Sequence, residues 1–290
     1  MSTNNVMRIM SFNIRYDNPE DGCNAWKYRK DMAASMLRFH QADIAGLQEV
    51  LVHQLKDLAE RLPEYGWVGV GRDDGEKEGE FAPIFYRKDR FTALDHGVFW
   101  LSETPDVPGS RGWDAACVRI ATWVKFADKQ TGKSFYCFNA HFDHEGRTAM
   151  RESAHLLLER VESLVGGLPV VLTGDFNSTE DSETYGVLTG RNSALGLSGK
   201  TLRDACYESE NGHHGPSITF HDFEAAEILL RMSHKSLDPE EDRDEETLKL
   251  IDFIFIKNNM KVLQHGTLAD TWDGRYPSDH MPVAADLLLY

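Results

Sequence analysis

The sequence predicts an α/β protein with mixed sheets, and three observations predict it. Short runs rich in apolar, β-branched or aromatic residues recur along the whole chain, stretches with helical spacing lie among the early ones, and turn-rich segments separate consecutive strands in the middle. Residues 8–14 read as the first strand. Ala33, Leu37 and His40 then fall on one helical face, residues 42–47 form a second strand, and Leu51, Leu55, Leu58 and Leu62 repeat the helical spacing. Residues 66–70, 83–86, 118–126 and 134–142 follow as strands divided by Gly-, Pro- and Asp-rich turns with little helical periodicity, which predicts antiparallel pairing. A helix over 149–165, a strand over 169–173 and strands over 251–256 and 283–289 complete the pattern.

Composition bounds the class. With 41% hydrophobic and 27% charged residues among 290, disorder is excluded and a sizeable core is expected. No repeat, linker or shift in composition divides the chain, so a single domain over 1–290 is expected. No apolar run reaches the ~18 residues that a membrane span needs. The first residues carry no basic region followed by an apolar stretch, so the chain reads as lacking a signal peptide and as cytoplasmic. Cys23, Cys117, Cys137 and Cys206 are far apart with no C-x-x-C pair, which argues for buried thiols over a zinc ribbon or a disulfide framework.

The net charge is −16. Part of it is local, because Asp238 to Glu246 carries seven carboxylates against one arginine within an acidic insertion at about 224–247. The remainder still carries −10 and has no Lys- and Arg-rich stretch. Duplex nucleic acid, which binds largely through Lys and Arg contacts to phosphate, is therefore disfavoured as a partner. Only a patch assembled from distant residues such as Arg72, Arg87, Arg111, Arg119 and Arg147 would alter that. The sequence assigns no oligomeric state.

Polar residues interrupt the apolar runs at comparable places. Asn13 lies in SFNIR, Glu49 in LQEV, Asn139, His141, Asp143 and His144 in NAHFDH, and Asp175 with Asn177 in GDFN. Strand ends on one rim are where α/β enzymes build sites. Asp252 instead begins its strand, so an antiparallel course brings it to the same rim, together with Ser278, Asp279 and His280 ahead of the last strand. Glu49, Asp175, Asp252 and Asp279 offer hard oxygen ligands, and no His and Cys cluster has zinc-like spacing, so Mg²⁺ or Mn²⁺ is the expected ion. Imidazoles that move protons or donate to phosphate, with amides that orient water, complete a set suited to phosphoester hydrolysis. Residues 194–201 (ALGLSGKT) fit a loose phosphate-loop pattern without the strand that should precede it, and neither a G-x-S-x-G nor an H-E-x-x-H motif is present.

On SFNIR, LQEV, NAHFDH, GDFN, IDFIF and SDHMPV, which span nearly the whole chain, the sequence resembles the exonuclease, endonuclease and phosphatase superfamily. Residues 85–91 and 99–123 look like a bacterial branch whose members mostly lack an assigned substrate. The resemblance implies a four-layer sandwich, two mixed β-sheets face to face flanked by helices, with the site in the cleft at one end. It implies that Glu49, with Asn13 beside it, holds a metal ion, and that Asp279 ligates the same ion or a second one. Asp175 would orient or deprotonate the attacking water with help from Asn177. His280, polarised by Asp252, would contact the scissile phosphate as base or electrophile, and His141 would donate to a phosphate oxygen. Leu250 stands where family members commonly carry a basic residue.

The expected function is thus a divalent-metal-dependent phosphoesterase acting on a small or short substrate such as a sugar phosphate, lipid head group or nucleotide. The alternatives are a nuclease acting on DNA or RNA ends and a non-catalytic phosphate-binding module. Asn139 reads as bonding to neighbouring backbone, Asp143 and His144 as capping or solvating a loop, and Trp100 and Trp113 as core or cleft wall. Arg119 is open between a structural ion pair and a fork on a phosphate oxygen.

Overall fold

The computed structural model describes residues 5–191, 201–224 and 249–290. The acidic insertion beyond Glu224 and the pattern at 194–200 lie outside them. The chain runs β1 (Val6–Asn13), α1 (Trp26–Phe39), β2 (Ile44–Gln48), α2 (Val52–Arg61), β3 (Tyr65–Val68), β4 (Ile84–Arg87), β5 (Phe91–Trp100), β6 (Ile120–Asp128) and β7 (Ser134–His141). It continues with α3 (Arg147–Val165), β8 (Val170–Asp175), α4 (Glu183–Thr189), β9 (Arg203–Asp204), α5 (Ala205–Glu208), β10 (His213–His214), β11 (Asp252–Lys257), β12 (Met260–Thr267) and β13 (Val283–Leu289). One sheet is ordered β10-β12-β13-β1-β2-β4-β3 and the other β5-β6-β7-β8-β11-β9. Both are mixed: β1 pairs parallel with β2 and antiparallel with β13, and β7 pairs parallel with β8 while β11 runs antiparallel to β8. The expected strands all form, and the middle segment is antiparallel as its turns predict.

Side chains alternate between the two faces of each strand, and this alternation sorts the core into layers. Met10, Phe12, Ala45 and Leu47 face outward onto Leu37 of α1 and Leu58 of α2. Tyr136, Phe138, Leu172 and Phe255 face outward on the other side, against Leu157 and Val161 of α3 and Tyr185 of α4. Between the sheets lie Ile9, Ile44, Phe135, Cys137, Val171, Ile254 and Val283. Of the four cysteines, all free, only Cys137 is buried. The expectation of four buried thiols fails because Cys23 sits in an exposed turn and Cys117 and Cys206 lie at the edges of the core.

Toward one end the inner face changes from apolar to polar at intervals of two residues: Ile9, Ser11, Asn13; Cys137, Asn139, His141; Val171, Thr173, Asp175; and, in the reverse direction, Ile256, Ile254, Asp252. The intermediate polar residues bond to one another across the sheets. Asn139 donates to the Leu47 carbonyl (2.7 Å) and the Pro83 carbonyl (3.1 Å), and accepts from Gln48 Nε2 (2.7 Å) and Thr173 Oγ1 (3.0 Å). The backbone partners expected for Asn139 thus belong to the opposite sheet. Gly46 makes this approach possible, since a Cβ there would lie 2.0 Å from Thr173 Oγ1 and 2.5 Å from Asn139 Oδ1. Trp100 is core, its Nε1 donating to the Arg72 carbonyl.

Replacing Asn139 with Leu strands buried donors and should destabilise the fold by about 2–3 kcal/mol, while Gly46→Ala, by overpacking the same contact, should cost about 1–3 kcal/mol. Urea unfolding of both variants measures this. Wild-type midpoints in either would show that the sheets do not rely on the contact.

Candidate active site

The polar layer opens into a cleft of about 430 Å³ lined by residues from both sheets. The pairing of Asp252 with Asp175 in the β11–β8 ladder puts the start of β11 beside the end of β8, and His141 is paired with Asp175 in the β7–β8 ladder. The antiparallel course on which the placement of Asp252 depends is the one the sheet adopts. Asn13, Glu49, His141, Asp175, Asn177, Asp252, Asp279 and His280 all converge here.

Asn13 is the joint. Its Nδ2 donates to Glu49 Oε1 (3.0 Å) on its own sheet and to Asp175 Oδ2 (2.9 Å) on the other, and its Oδ1 accepts from the Arg15 amide. Glu49 Oε2 accepts from the Tyr16 amide. Burial opposes ionisation of Glu49, but the Asn13 and Tyr16 hydrogen bonds and the His280 and Arg15 charges outweigh it and hold the carboxyl below its usual range. Asp175 Oδ1 accepts from the Asn177 amide. Burial and the Asp252 charge push Asp175 up to about 7. Burial, with Glu49 adding to it, pushes Asp279 up to about 6 against the pull of His280 and Arg15.

His280 Nδ1 lies 2.8 Å from Asp252 Oδ2, and its Nε2 lies 3.8 Å from Asp175 Oδ2. Burial disfavours the imidazolium, yet Asp252, Asp175 and Asp279 together raise His280 to about 10, so it is a cation at neutral pH. His141 differs. Burial and the nearby Arg119 and Arg72 charges drive its pKa well down, so it is neutral; its Nε2 faces Asn177 Nδ2 at 3.2 Å and Asp175 Oδ2 at 3.6 Å. Glu49, Arg15 and Asn177 adopt left-handed backbone conformations, with φ of 62°, 56° and 46°. Such strain in non-glycine residues clusters where side-chain placement outweighs backbone comfort.

Of the two uses left open for Arg119, the structural ion pair is present. Arg119 lies 3.5 Å from Asp143 and donates to His144 Nδ1 (2.9 Å), while its Nη1 has no hydrogen-bond partner among the described residues although the side chain is buried at the cleft wall. Asp143 is a cap, accepting from the amides of Ala116, Cys117, Glu145 and Gly146. Arg72, named only for a possible basic patch, lines the cleft with its partner Glu80 (2.7 Å), and Glu80, Tyr16, Phe220 and Lys249 are lining residues that the sequence reading did not name as part of a site. Lys249 places a cation one residue before Leu250, so the basic charge missing at that position is supplied next to it. Its neighbours in sequence carried the only signal. Trp113 is not among the lining residues.

The comparisons agree with this geometry. The sequence model of the Endonuclease/Exonuclease/phosphatase family matches residues 10–280. A solved endonuclease/exonuclease/phosphatase from Bacteroides vulgatus is 44% identical with a TM-score of 0.85, covering 98% of this chain and 99% of that one. The mannosyl-6-phosphatase of Bacteroides thetaiotaomicron is 37% identical with a TM-score of 0.83, covering 98% and 100%. Among curated proteins, an uncharacterized protein of Acanthamoeba polyphaga mimivirus is 30% identical over 175 residues, 58% of this chain and 64% of its own length. The chain spans less than two thirds of the length of the curated relatives it matches. Because the family match runs from β1 to His280 and so takes in every segment that meets at the cleft, this chain belongs to the endonuclease/exonuclease/phosphatase family, in its bacterial branch.

Proposed function

We propose that this protein is a divalent-metal-dependent phosphoesterase that hydrolyses a small or short phosphoester, with a sugar phosphate as the first substrate class to test. The observation that carries the reading is the pairing, inside one cleft of about 430 Å³, of a buried carboxylate cluster with Arg119, Arg72, Arg15 and Lys249. That volume suits a ligand of sugar phosphate or nucleotide size. The full-length similarity to a mannosyl-6-phosphatase supports the same class.

The donor set fits a hard cation. Glu49 is ionised, and Asp175 and Asp279 are pushed toward neutrality by burial and by neighbouring carboxylates, the mark of a site short of positive charge. We assign Glu49 and Asp279 as ligands of Mg²⁺ or Mn²⁺, one ion or two, with Asn13 holding Glu49 in place through its amide. When bound, the ion supplies charge neutralisation at the phosphoryl oxygens and a more acidic water. Asp175, with a pKa near neutrality, accepts the proton of the attacking water, which Asn177 helps to orient. The His280 imidazolium, aligned by Asp252, donates to a phosphoryl oxygen, so its role is that of electrophile. His141 faces the same space and is neutral; its Nε2 accepts from Asn177 Nδ2, so donation from Nε2 to a phosphate oxygen would require the other tautomer. Arg119 Nη1 reaches a further phosphate oxygen.

A second reading, a nuclease acting on DNA or RNA ends, is favoured by Phe220 and Tyr16 in the cleft wall, since aromatic rings there can stack on a base. A screen of phosphorylated sugars, nucleotides, short DNA and RNA, and nitrophenyl phosphate mono- and diesters, with Mg²⁺ or Mn²⁺ and with chelator, separates these. Turnover fastest on a sugar phosphate and abolished by chelator is expected. Failure to bind either ion by calorimetry would refute the enzyme reading and leave a phosphate-binding module.

Glu49→Gln should weaken metal binding at least tenfold, because a neutral amide cannot replace the charge that a hard cation requires. His280→Ala should leave metal affinity intact and lower kcat by about two orders of magnitude. Equal loss of metal by both variants would overturn the division of roles.

In the metal-free protein, Asp252→Asn removes the anion that outweighs burial at His280. The imidazole pKa should then fall from about 10 toward or below its ordinary value near 6.5. Histidine NMR titration reads this directly, and an unchanged value would show that Asp252 does not polarise His280.

Duplex DNA should be cleaved more slowly at physiological salt than the best small phosphoester. A plasmid cleaved faster than every small substrate would refute the preference.

A further inference from the structure

Away from the cleft, α5, β10 and β12 bring a thiol and two imidazoles together at one edge of the seven-stranded sheet. Cys206 lies on α5, which packs on β12, and His213 and His265 are direct cross-strand partners in the β10–β12 ladder. One ligand atom from each of the three lies within 4.8 Å of the other two. We propose that Cys206, His213 and His265 bind a transition-metal ion, Zn²⁺ foremost, at a site that shares no residue with the catalytic cleft.

Three features support it. The two Nδ1 atoms are 3.0 Å apart, close to the roughly 3.3 Å that a tetrahedral ion imposes on two nitrogens bound at about 2.0–2.1 Å. His213 Nε2 lies 3.0 Å from the Pro216 carbonyl; that contact places its proton on Nε2 and leaves the Nδ1 lone pair toward His265. Fixing the tautomer through a backbone carbonyl is the usual outer support of a ligating histidine. Finally, the donors are nitrogen and sulfur. They select Zn²⁺ over Mg²⁺ or Mn²⁺, which prefer the carboxylates of the cleft. A hydrogen bond between the rings uses the same contact but has no need of Cys206.

Binding requires the thiolate, so Cys206 loses its proton to solvent as the Zn–S bond forms, and water takes the fourth position. No electron is transferred. The sequence hid this site because the ligands are separated by 7 and 52 residues, without the paired spacing of a zinc motif. The bound ion would tie α5 and the two-residue β10 to the long strand β12, at a sheet edge held otherwise by few backbone bonds.

The test uses the full chain, stripped with chelator and then saturated with Mg²⁺, and titrated with Co²⁺ as a spectroscopic stand-in for Zn²⁺. One equivalent should bind with a thiolate-to-cobalt charge-transfer band, and Zn²⁺ should displace it. Cys206→Ser should abolish the band, and His213→Ala, at an exposed position, should weaken Zn²⁺ at least tenfold, both with unchanged metal-free melting temperatures. Glu49→Gln should keep the band, which separates this site from the cleft. Absence of the band in wild type, or its persistence in Cys206→Ser, would leave only a hydrogen-bonded histidine pair and overturn the proposal.

Discussion

Two facing sheets share one inner layer, and because side chains alternate along every strand, each strand adds one residue to that layer for every two in its sequence. The site depends on this constraint. Ile9, Cys137, Val171 and Ile254 fill the layer where it is deep, and Asn13, His141, Asp175 and Asp252 occupy the same face at the rim. A one-residue slip in the β8–β11 ladder would turn Asp252 away from His280 and bring Phe253 into its place. The layer between core and rim, made of Asn139, Gln48, Thr173 and Gly46, sets how close the sheets come. Asn13 can therefore reach Glu49 and Asp175 at once.

Once the sheets are fixed, electrostatics does the remaining selection. The carboxylates and imidazoles gathered in this one buried space cannot all keep their solution protonation states. His280 takes up positive charge because Asp252 faces its Nδ1 at 2.8 Å. His141, nearer Arg119 and Arg72, stays neutral. Two similar side chains thus acquire opposite charge states from their neighbours, and burial with the Asp252 charge pushes Asp175 between them up to about 7. Arg29 protects the arrangement from below: fully buried, it donates to the carbonyls of Ile14 and Pro277 and so ties the end of β1 to the segment carrying Asp279 and His280.

Much of this was legible in the sequence where the alternation was clean. VVLTGDFN runs apolar to polar without interruption, and IDFIF reads the same way in reverse, so the sequence places Asp252 on the same rim on the condition of an antiparallel course, which the β11–β8 ladder meets. β5 was missed because LDHG breaks its apolar run, with several of its residues facing solvent, and β12 because Lys261, Gln264 and His265 interrupt its pattern. The local backbone bonding that the sequence suggests for Asn139 is replaced by bonds to the Leu47 and Pro83 carbonyls, far away in sequence, because its side chain points across to the other sheet. Arg72, Glu80, Phe220 and Lys249 come from connecting segments, where no period ties a residue to a face. Loop residues join a site through chain path, and chain path is not written in local spacing.

The charge of the protein acts on two length scales. Over the whole chain the balance is −16, which repels an extended polyanion approaching from outside. Within the cleft, Arg15, Arg72, Arg119 and Lys249 stand within one small volume, and low-dielectric walls focus their field on whatever fills it. The Debye length at physiological salt is about 8 Å. A phosphate inside the cleft therefore senses mostly the local cations, whereas the flanks of a long nucleic acid would meet the acidic exterior. Under the proposed function, a short ligand would gain the attraction without incurring the repulsion, and a preference against length would need no steric gate.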